Sequence, residues 1–418
     1  MTAHETPRRV VVLSPVPALK APTHAGGLLL TTIVRAHLAS GAHVVVLVPS
    51  TNATVEALHE AAPVAPTHLL GRPRDHRGLH RLALTAVHRG LRLLPSRAPA
   101  EAPWYLLADL LIDRSVRRLL SSADLVDLQW EEYGHLAPLI RKLAPNAATT
   151  CMFHDVNEQR LSRAVEAASG PISMRQALQG LARNRRLLRR ATHTIERGFV
   201  LSEKDRALLD SSAPGLPSTV VPPPLVDDST PLFDVSSRPP VIGFVGALRR
   251  IENRDSALRL ATRIWPLVRE VRPDARLRII GGGLEEGAHR KINNLPGVEL
   301  TGFVDDLDEA YAGLRTTISP IDRGAGVKFK VVESIVRGIP TLTTSVGAEG
   351  IDSGLFSLVS DDDHALARGV LEALSSHEVA TQASTAARHA RATYGVDGFV
   401  RAYLSGAEDA LRSRRLHP

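Results

Sequence analysis

Apolar residues fall along this chain in short, dense blocks separated by longer stretches of helical periodicity. Arg9–Pro15 (RVVVLSP), Ala42–Pro49 (AHVVVLVP), Asp124–Trp130 (DLVDLQW), Ala147–Phe153 (AATTCMF) and Phe199–Ser202 are too short for helices and read as buried strands. Between the first two, Leu28–Gly41 (LLLTTIVRAHLASG) reads as a helix closed by Gly41. After the strand ending at Ser202, the run SEKDRALL predicts a helix with Ser202 as its N-cap and Asp205 as the reciprocal partner. The alternation then restarts. Val241–Ala247 is a strand, Ser256–Val271 a helix, and Arg276–Ile280 a strand running into Gly281-Gly282-Gly283. Val298–Val304, Thr316–Ile321, Thr341–Val346 and Phe356–Ser360 continue the strand series, with helices after Asp306 and from His364 to Leu374.

Two βαβ-type alternations in one chain predict an α/β protein of two doubly wound units. The break between them is the segment Val220–Pro231, where Pro222, Pro223 and Pro224 follow one another and fit neither a sheet interior nor a helix. The expected organisation is a first domain over 1–222, a proline-rich linker over 223–238, a second domain over 239–392, and a C-terminal helical segment over 393–418 that crosses back to the first domain.

The stretch with the most chemistry is Arg323–Pro340, reading RGAGVKFKVVESIVRGIP. It follows a buried strand, turns on Gly324 and Gly326, and becomes helical from about Val327. Val327, Val331 and Ile335, with Val332 and Val336, form one apolar face, while Lys330, Glu333 and Arg337 fall at i, i+3 and i+7 on another. Gly338 and Pro340 stop the helix. A strand, a glycine loop and a helix N-terminus bearing lysines make an anion site. The chain has six lysines, and Lys328 and Lys330 are two of them. The alternative is an ordinary exposed Lys330–Glu333 pair on an α/β helix.

Composition narrows the field. The 418 residues are 44% hydrophobic, with a mean hydropathy of −0.04, as in a globular protein with real cores. Net charge is +7 and the pI about 9.9, which favours nucleotides, phosphates or membrane headgroups as partners. Aromatic residues make up 4%, too few for a base-stacking platform, so nucleic acid is not the expected partner. The single cysteine, Cys151, sits in an apolar run and reads as a buried thiol, excluding an internal disulfide or a cysteine metal site. The N-terminus runs into a strand without a signal-peptide pattern, and no apolar run reaches the roughly 18 residues of a membrane span, so a cytoplasmic location is expected. His80–Arg97 is basic and amphipathic. It reads either as a helix touching a membrane surface or, more in keeping with a basic protein, as a solvated helix facing an acceptor cleft.

In open α/β sheets the strand C-termini line the ligand crevice. That directs attention to Gly26 and Gly27 after the first strand, to Glu131, Glu132 and Tyr133, and to His154 and Asp155. The opening βαβ unit lacks a GxGxxG fingerprint and an acidic residue at the end of its second strand, which disfavours a dinucleotide site. Asp306-Leu-Asp308 and Asp361-Asp-Asp363 imitate a metal-binding DxD, but both stand where acidic helix caps belong.

Taken together, GAGVKFKVVESIVRGIPTLTTSVGAEG (Gly324–Gly350) resembles the donor-binding signature of the retaining GT4-type glycosyltransferases, the glycosyl transferases group 1. Weaker matches come in the family's order. They are Gly26-Gly27, His154-Asp155, Val200–Leu209, the VVPPPLVD linker, Phe244-Val-Gly246 with Asn253 and Asp255, the triple glycine, and GFVDDLDEAY. They leave 51–120 and 160–195 uncovered. The resemblance implies a GT-B fold, two Rossmann-like domains facing a central cleft. It implies a retaining, metal-independent transfer from a nucleoside-diphosphate sugar, with UDP the commonest nucleotide, to a hydroxyl acceptor and no cofactor. The departing diphosphate gathers negative charge, so its stabilisation is the main catalytic lever. The loop Gly324, Ala325, Gly326, Val327 and Lys328, with Lys330 and with Arg249 or Arg250, would supply it. The resemblance gives Glu333 the ribose hydroxyls, Gly281 and Val304 the base, and His154 the donor sugar. Gly26 and Gly27 would lie against the diphosphate, Gly246 would belong to the nucleotide site, and Glu131, Glu132, Tyr133 and Asp155 would be on the acceptor side.

This chain departs from the pattern twice. The family's usual pair of glutamates eight apart is represented by Glu333 alone, with Ala325 at the first position, as in a branch that uses loop amides there. The usual Arg…Lys pair after the first strand of the second domain is reduced to Arg249 and Arg250, with Lys328 or Lys330 to replace the lysine. The rival readings are a sugar-nucleotide epimerase or phosphorylase of the same fold, and a catalytically silent nucleotide-sugar binder. The acceptor, the donor sugar and the oligomeric state are not legible.

Overall fold

The computed structural model describes residues 7–71 and 104–416. The basic segment 80–97 lies outside the described residues. The chain divides into two compact units, Met1–Val221 with Phe399–Pro418, and Pro222–Gly398.

The first unit is built on seven parallel strands. They are β1 (Arg9–Leu13), β2 (His43–Pro49), β3 (Thr67–Leu70), β4 (Leu125–Gln129), β5 (Ala148–Phe153), β6 (Arg197–Val200) and β7 (Ser218–Val220), in the order β3-β2-β1-β4-β5-β6-β7. The valine and leucine runs are buried on both faces. Val11, Leu13, Val126 and Leu128 look into one helical layer, and Val10, Val12, Val44 and Val46 into the other. That two-sided burial is why these strands read as unbroken apolar blocks rather than alternating ones. The second unit repeats the arrangement with β8 (Val241–Val245), β9 (Arg276–Ile280), β10 (Val298–Gly302), β11 (Thr316–Ser319), β12 (Thr341–Thr343) and β13 (Leu358–Val359), ordered β10-β9-β8-β11-β12-β13. In each unit the strand order reverses at one place, between β1 and β4 and between β8 and β11. Adjacent loops there leave the sheet in opposite directions and open a crevice.

Several boundaries differ from those read in the sequence. The helix expected from Ser256 begins at Ile251, so Arg250 is its cap and the IENRD run is helical. It continues through a π-type turn, Leu260–Ile264, into Trp265–Val271. Pro266 explains that turn: it lacks an N–H and its ring would collide with the carbonyl four residues back, so the helix widens. The helix expected from Leu28 begins at Ala25, which puts Gly26 and Gly27 inside its first turn. The proline-rich segment does not stand free as a linker. Phe233 N–H donates to the Arg337 carbonyl (2.9 Å), Arg391 donates to that of Thr230 (2.9 Å), and Val235 is buried in the second unit. The last helix, Val396–Leu416, lays Phe399, Tyr403, Ala407 and Ala410 into the core of the first unit. No helix among the described residues is long and apolar enough to cross a membrane.

Candidate functional site

On one side of the second unit's reversal point the ends of β8, β9 and β10 are stitched together by backbone. Gly246 N–H donates to Ile280 O (2.9 Å), Leu248 N–H to Gly282 O (2.9 Å), and Gly281 N–H to Gly302 O (2.8 Å). Gly281 has φ +142°, and a Cβ there would lie 1.8 Å from the Gly246 carbonyl oxygen. The close approach of two strand ends is therefore what demands glycine. Gly283 is also close-packed, since a Cβ there would lie 2.7 Å from Arg249 Cβ, and the Arg249 side chain is exposed beside it. Arg250 is held by Glu252 at 2.5 Å.

On the other side of the crevice, β11 runs into the loop 320–328. Gly324 (φ +121°) and Gly326 (φ +68°) take the left-handed backbone that turns it. Lys328 folds back over the loop, its Nζ donating to Ala325 O (3.1 Å) and Gly326 O (2.6 Å), with Glu349 3.8 Å away. The helix starts at Phe329, two residues later than the periodicity suggests, with Lys328 as an extended cap whose side chain leaves the first amides uncapped. A helix start has unspent N–H groups and a partial positive charge. Val327 is buried beneath it.

Lys330 projects from the first turn towards β8. Its Nζ donates to Asn253 Oδ1 (2.5 Å) and lies 4.6 Å from the centre of the Phe244 ring, while Asn253 donates onward to Ala247 O (3.0 Å). Burial pushes the Lys330 pKa down to about 7, with Glu252 pulling the other way. The amine is thus poised to be neutral or charged near neutral pH, and a nearby phosphate would favour the charged form. Lys330 and Glu333 do not pair. Glu333 is buried, and its partner is Arg337 one turn on, which also holds Asp308 (2.7 Å). Burial raises the Glu333 pKa against the attraction of Arg337. Val304 is half-buried after β10, and next to it Phe303 is exposed.

In the first unit the reversal point brings together Gly26, Trp130 and His154. His154 and Trp130 stack with centroids 3.6 Å apart and planes 3° from parallel. Gly26 packs on this pair, since a Cβ there would sit 2.5 Å from Trp130 Cζ2 and 3.6 Å from His154 Nδ1. Trp130 has φ +69°, a left-handed conformation that a tryptophan adopts only at a cost of roughly 1–3 kcal/mol. The Gly27 amide does not face outward for a phosphate, because it donates to His24 Nδ1 (3.0 Å), the N-cap of its helix. His154 Nε2 meets Gln129 Oε1 at 3.0 Å, and burial pushes its ring pKa down to about 3.

The residues read as an acceptor group scatter. Glu131 is buried, accepting from the Asn157 amide (2.8 Å) and Asn184 Nδ2 (2.7 Å), so its charge is spent holding two helices. Tyr133 lies in the hydrophobic core rather than presenting its ring to a ligand. Glu132 pairs with Arg160 (3.2 Å), and Asp155 is exposed. The two aspartate clusters act as caps. Asp306 accepts from Asp308 N–H, Asp362 from Ala365 N–H, and Asp363 binds Arg259. Trp130, Gln129 and Phe303 were not singled out in the sequence. Gln129 had a visible signal: with Asp127 it puts polar groups on one face of an otherwise apolar strand.

Comparison with known proteins adds three findings. Residues 239–376 match the family model described as Glycosyl transferases group 1. A Klebsiella pneumoniae relative, an uncharacterized 44.6 kDa protein in the cps region, is 26% identical over 137 residues, covering 31% of this chain and 35% of that protein. The match thus spans about a third of that relative's length. Among solved structures, Thermosynechococcus elongatus sucrose-phosphate synthase is 14% identical with a TM-score of 0.68 over 97% of this chain and 100% of that one. Anabaena HepE, in complex with UDP and glucose, is 13% identical with a TM-score of 0.64 over 96% and 99%. A Staphylococcus aureus TarM mutant, in complex with fondaparinux, alpha-GlcNAc-glycerol and UDP, is 9% identical with a TM-score of 0.64 over 96% and 100%. At these identities the likeness is one of fold, and the fold is GT-B.

Proposed function

We propose that this protein is a glycosyltransferase that moves a sugar from a nucleoside-diphosphate sugar to a hydroxyl acceptor with retained anomeric configuration. The observation that carries the reading is the gathering of Lys330, a left-handed glycine loop and an uncapped helix start at the strand reversal of the second unit. That unit is also where the group 1 model matches. The nucleoside proposed is uridine, supported by the UDP held in the HepE and TarM structures.

The anomeric C–O bond breaks towards the diphosphate, and the acceptor oxygen joins the same face of the sugar. The acceptor proton passes to the departing phosphate oxygen. Lys330 and the first amides of its helix take up the charge that grows on that phosphate. Glu333, oriented by Arg337, is the proposed acceptor for the ribose hydroxyls, and Gly281 and Val304 flank the base. No divalent metal is assigned to the reaction, since both aspartate clusters are committed to helix starts and an arginine. The test is incubation with UDP-sugars and a panel of hydroxyl acceptors, following UDP release and the anomeric proton by NMR. An α-linked product from an α-donor supports the reading. An inverted product, or no turnover with any donor, overturns it.

Two further results are expected. Glu333→Gln, which keeps an oxygen for Arg337, should weaken donor binding by about tenfold, the worth of a hydrogen bond to a charged group, read by calorimetry. The rate should also report Lys330. Its free-enzyme pKa is about 7, so kcat/KM for donor turnover should fall as pH rises through that value, as the cation is lost. Lys330→Arg, always charged, should remove that limb; a limb that survives the substitution belongs to another group.

A further inference from the structure

His154 is the end of a buried polar chain. β4 carries Asp127 and Gln129 on one face, and both are fully buried. Asp127 Oδ2 accepts from Gln129 Nε2 (2.6 Å) and from the Tyr403 hydroxyl (2.7 Å), while Oδ1 accepts from Thr150 Oγ1 (2.8 Å). Tyr403 comes from the C-terminal helix, and its oxygen lies 3.3 Å from His37 Nε2.

The directions of these bonds are fixed by what each group can do. Three donors converge on one carboxylate, the shell that suits the ionised, acceptor-only form. Burial raises the Asp127 pKa only to about 6, so the carboxylate is charged at neutral pH. Gln129 must therefore turn its NH₂ towards Asp127 and its carbonyl towards His154. A carbonyl only accepts, so His154 Nε2 must carry a hydrogen. The ring is neutral, because burial holds its pKa near 3, and has one hydrogen to place. Nδ1 is left with its lone pair. That atom is the one beside Gly26, at the start of the helix Ala25–Ala39.

We propose that Tyr403, Asp127 and Gln129 are positioning residues that lock His154 as the Nε2–H tautomer, presenting Nδ1 as the acceptor for a substrate hydroxyl. The tautomer follows from the chain of bonds together with a charged Asp127 and a neutral His154 ring; the substrate hydroxyl rests on the transferase reading above. The chain also joins the C-terminal helix to His154, from Tyr403 through two side chains. Tyr403 is a residue that neither strand-end nor motif reasoning would place near a site.

The test is ¹⁵N NMR of the histidine rings in the full-length protein, with His154 assigned by its loss in His154→Gln. The expected wild-type signal is a protonated Nε2 and an unprotonated Nδ1. In Asp127→Asn the new amide donates to the Gln129 carbonyl, Gln129 turns round, and its NH₂ faces Nε2. The hydrogen should then move to Nδ1. The transfer kcat should fall roughly 10–100-fold with KM little changed, a loss of the size seen when the partner that orients a metal-bound histidine is removed. A wild-type ring with its hydrogen on Nδ1, or an Asp127→Asn ring still protonated at Nε2, overturns the relay. The wild-type spectrum decides this even where the variant fails to fold. Inversion of the tautomer with unchanged kcat would sustain the relay and overturn the assigned hydroxyl contact.

Discussion

Replacing Lys330 with alanine is expected to lower the rate of sugar transfer about 10²–10³-fold and to change donor affinity much less, as loss of one donor aimed at developing charge does. The reason lies in how the amine is held. Asn253 fixes its direction at 2.5 Å, the Phe244 ring lies beneath it at 4.6 Å, and Tyr311 ties the Lys330 carbonyl at 3.0 Å. A charge positioned in a half-buried crevice interacts more strongly than one in water, and no reorganisation is needed when the phosphate departs. Lys328 cannot substitute, because its amine is turned back onto the loop carbonyls. Steady-state UDP release from wild type and variant measures the effect. A variant that keeps wild-type kcat would remove Lys330 from the chemistry.

The second large effect is on stability. Gly281→Ala should cost about 3 kcal/mol or more, at the upper end of single substitutions, because it combines a forbidden backbone with a collision against main chain. The new Cβ would fall 1.8 Å from the Gly246 carbonyl oxygen, and β8 and β9 must separate to admit it. Gly41 provides the comparison. It has φ +83° with nothing within 4 Å of a Cβ, so Gly41→Ala should show the left-handed cost alone, roughly 1–2 kcal/mol. Urea melts of the two variants separate strain from collision. Equal losses would mean that the strand ends are not held together as described.

The features legible in the sequence were those written in local chemistry. Dense apolar blocks gave the parallel strands, since two-sided burial leaves no polar alternation to confuse them. Ser202 caps its helix and accepts from the Asp205 amide, as the spacing predicts. Gly338, with φ +77°, ends the helix that Phe329 begins. What escaped was set by distant partners. Glu131 resembles a strand-end site residue, but a pair of asparagines far along the chain draws it inside. Tyr403 meets Asp127 across 276 residues, a contact with no local trace. Trp130 adopts a backbone that its own side chain disfavours, so no propensity could indicate it. The start of the helix after β8 was misplaced because IENRD is polar, and it is helical through the packing of Asn253, Ser256 and Ala257.

The central claim is that a nucleoside diphosphate sits on the strand ends of the second unit. A ligand that binds the native state must raise the melting temperature. The measurement is thermal unfolding with UDP, GDP, ADP and dTDP, with and without magnesium, on wild type and Glu333→Gln. Stabilisation by UDP, independent of magnesium and much reduced in the variant, is the predicted result. The absence of a shift with every nucleotide, or an equal shift in both proteins, would contradict it.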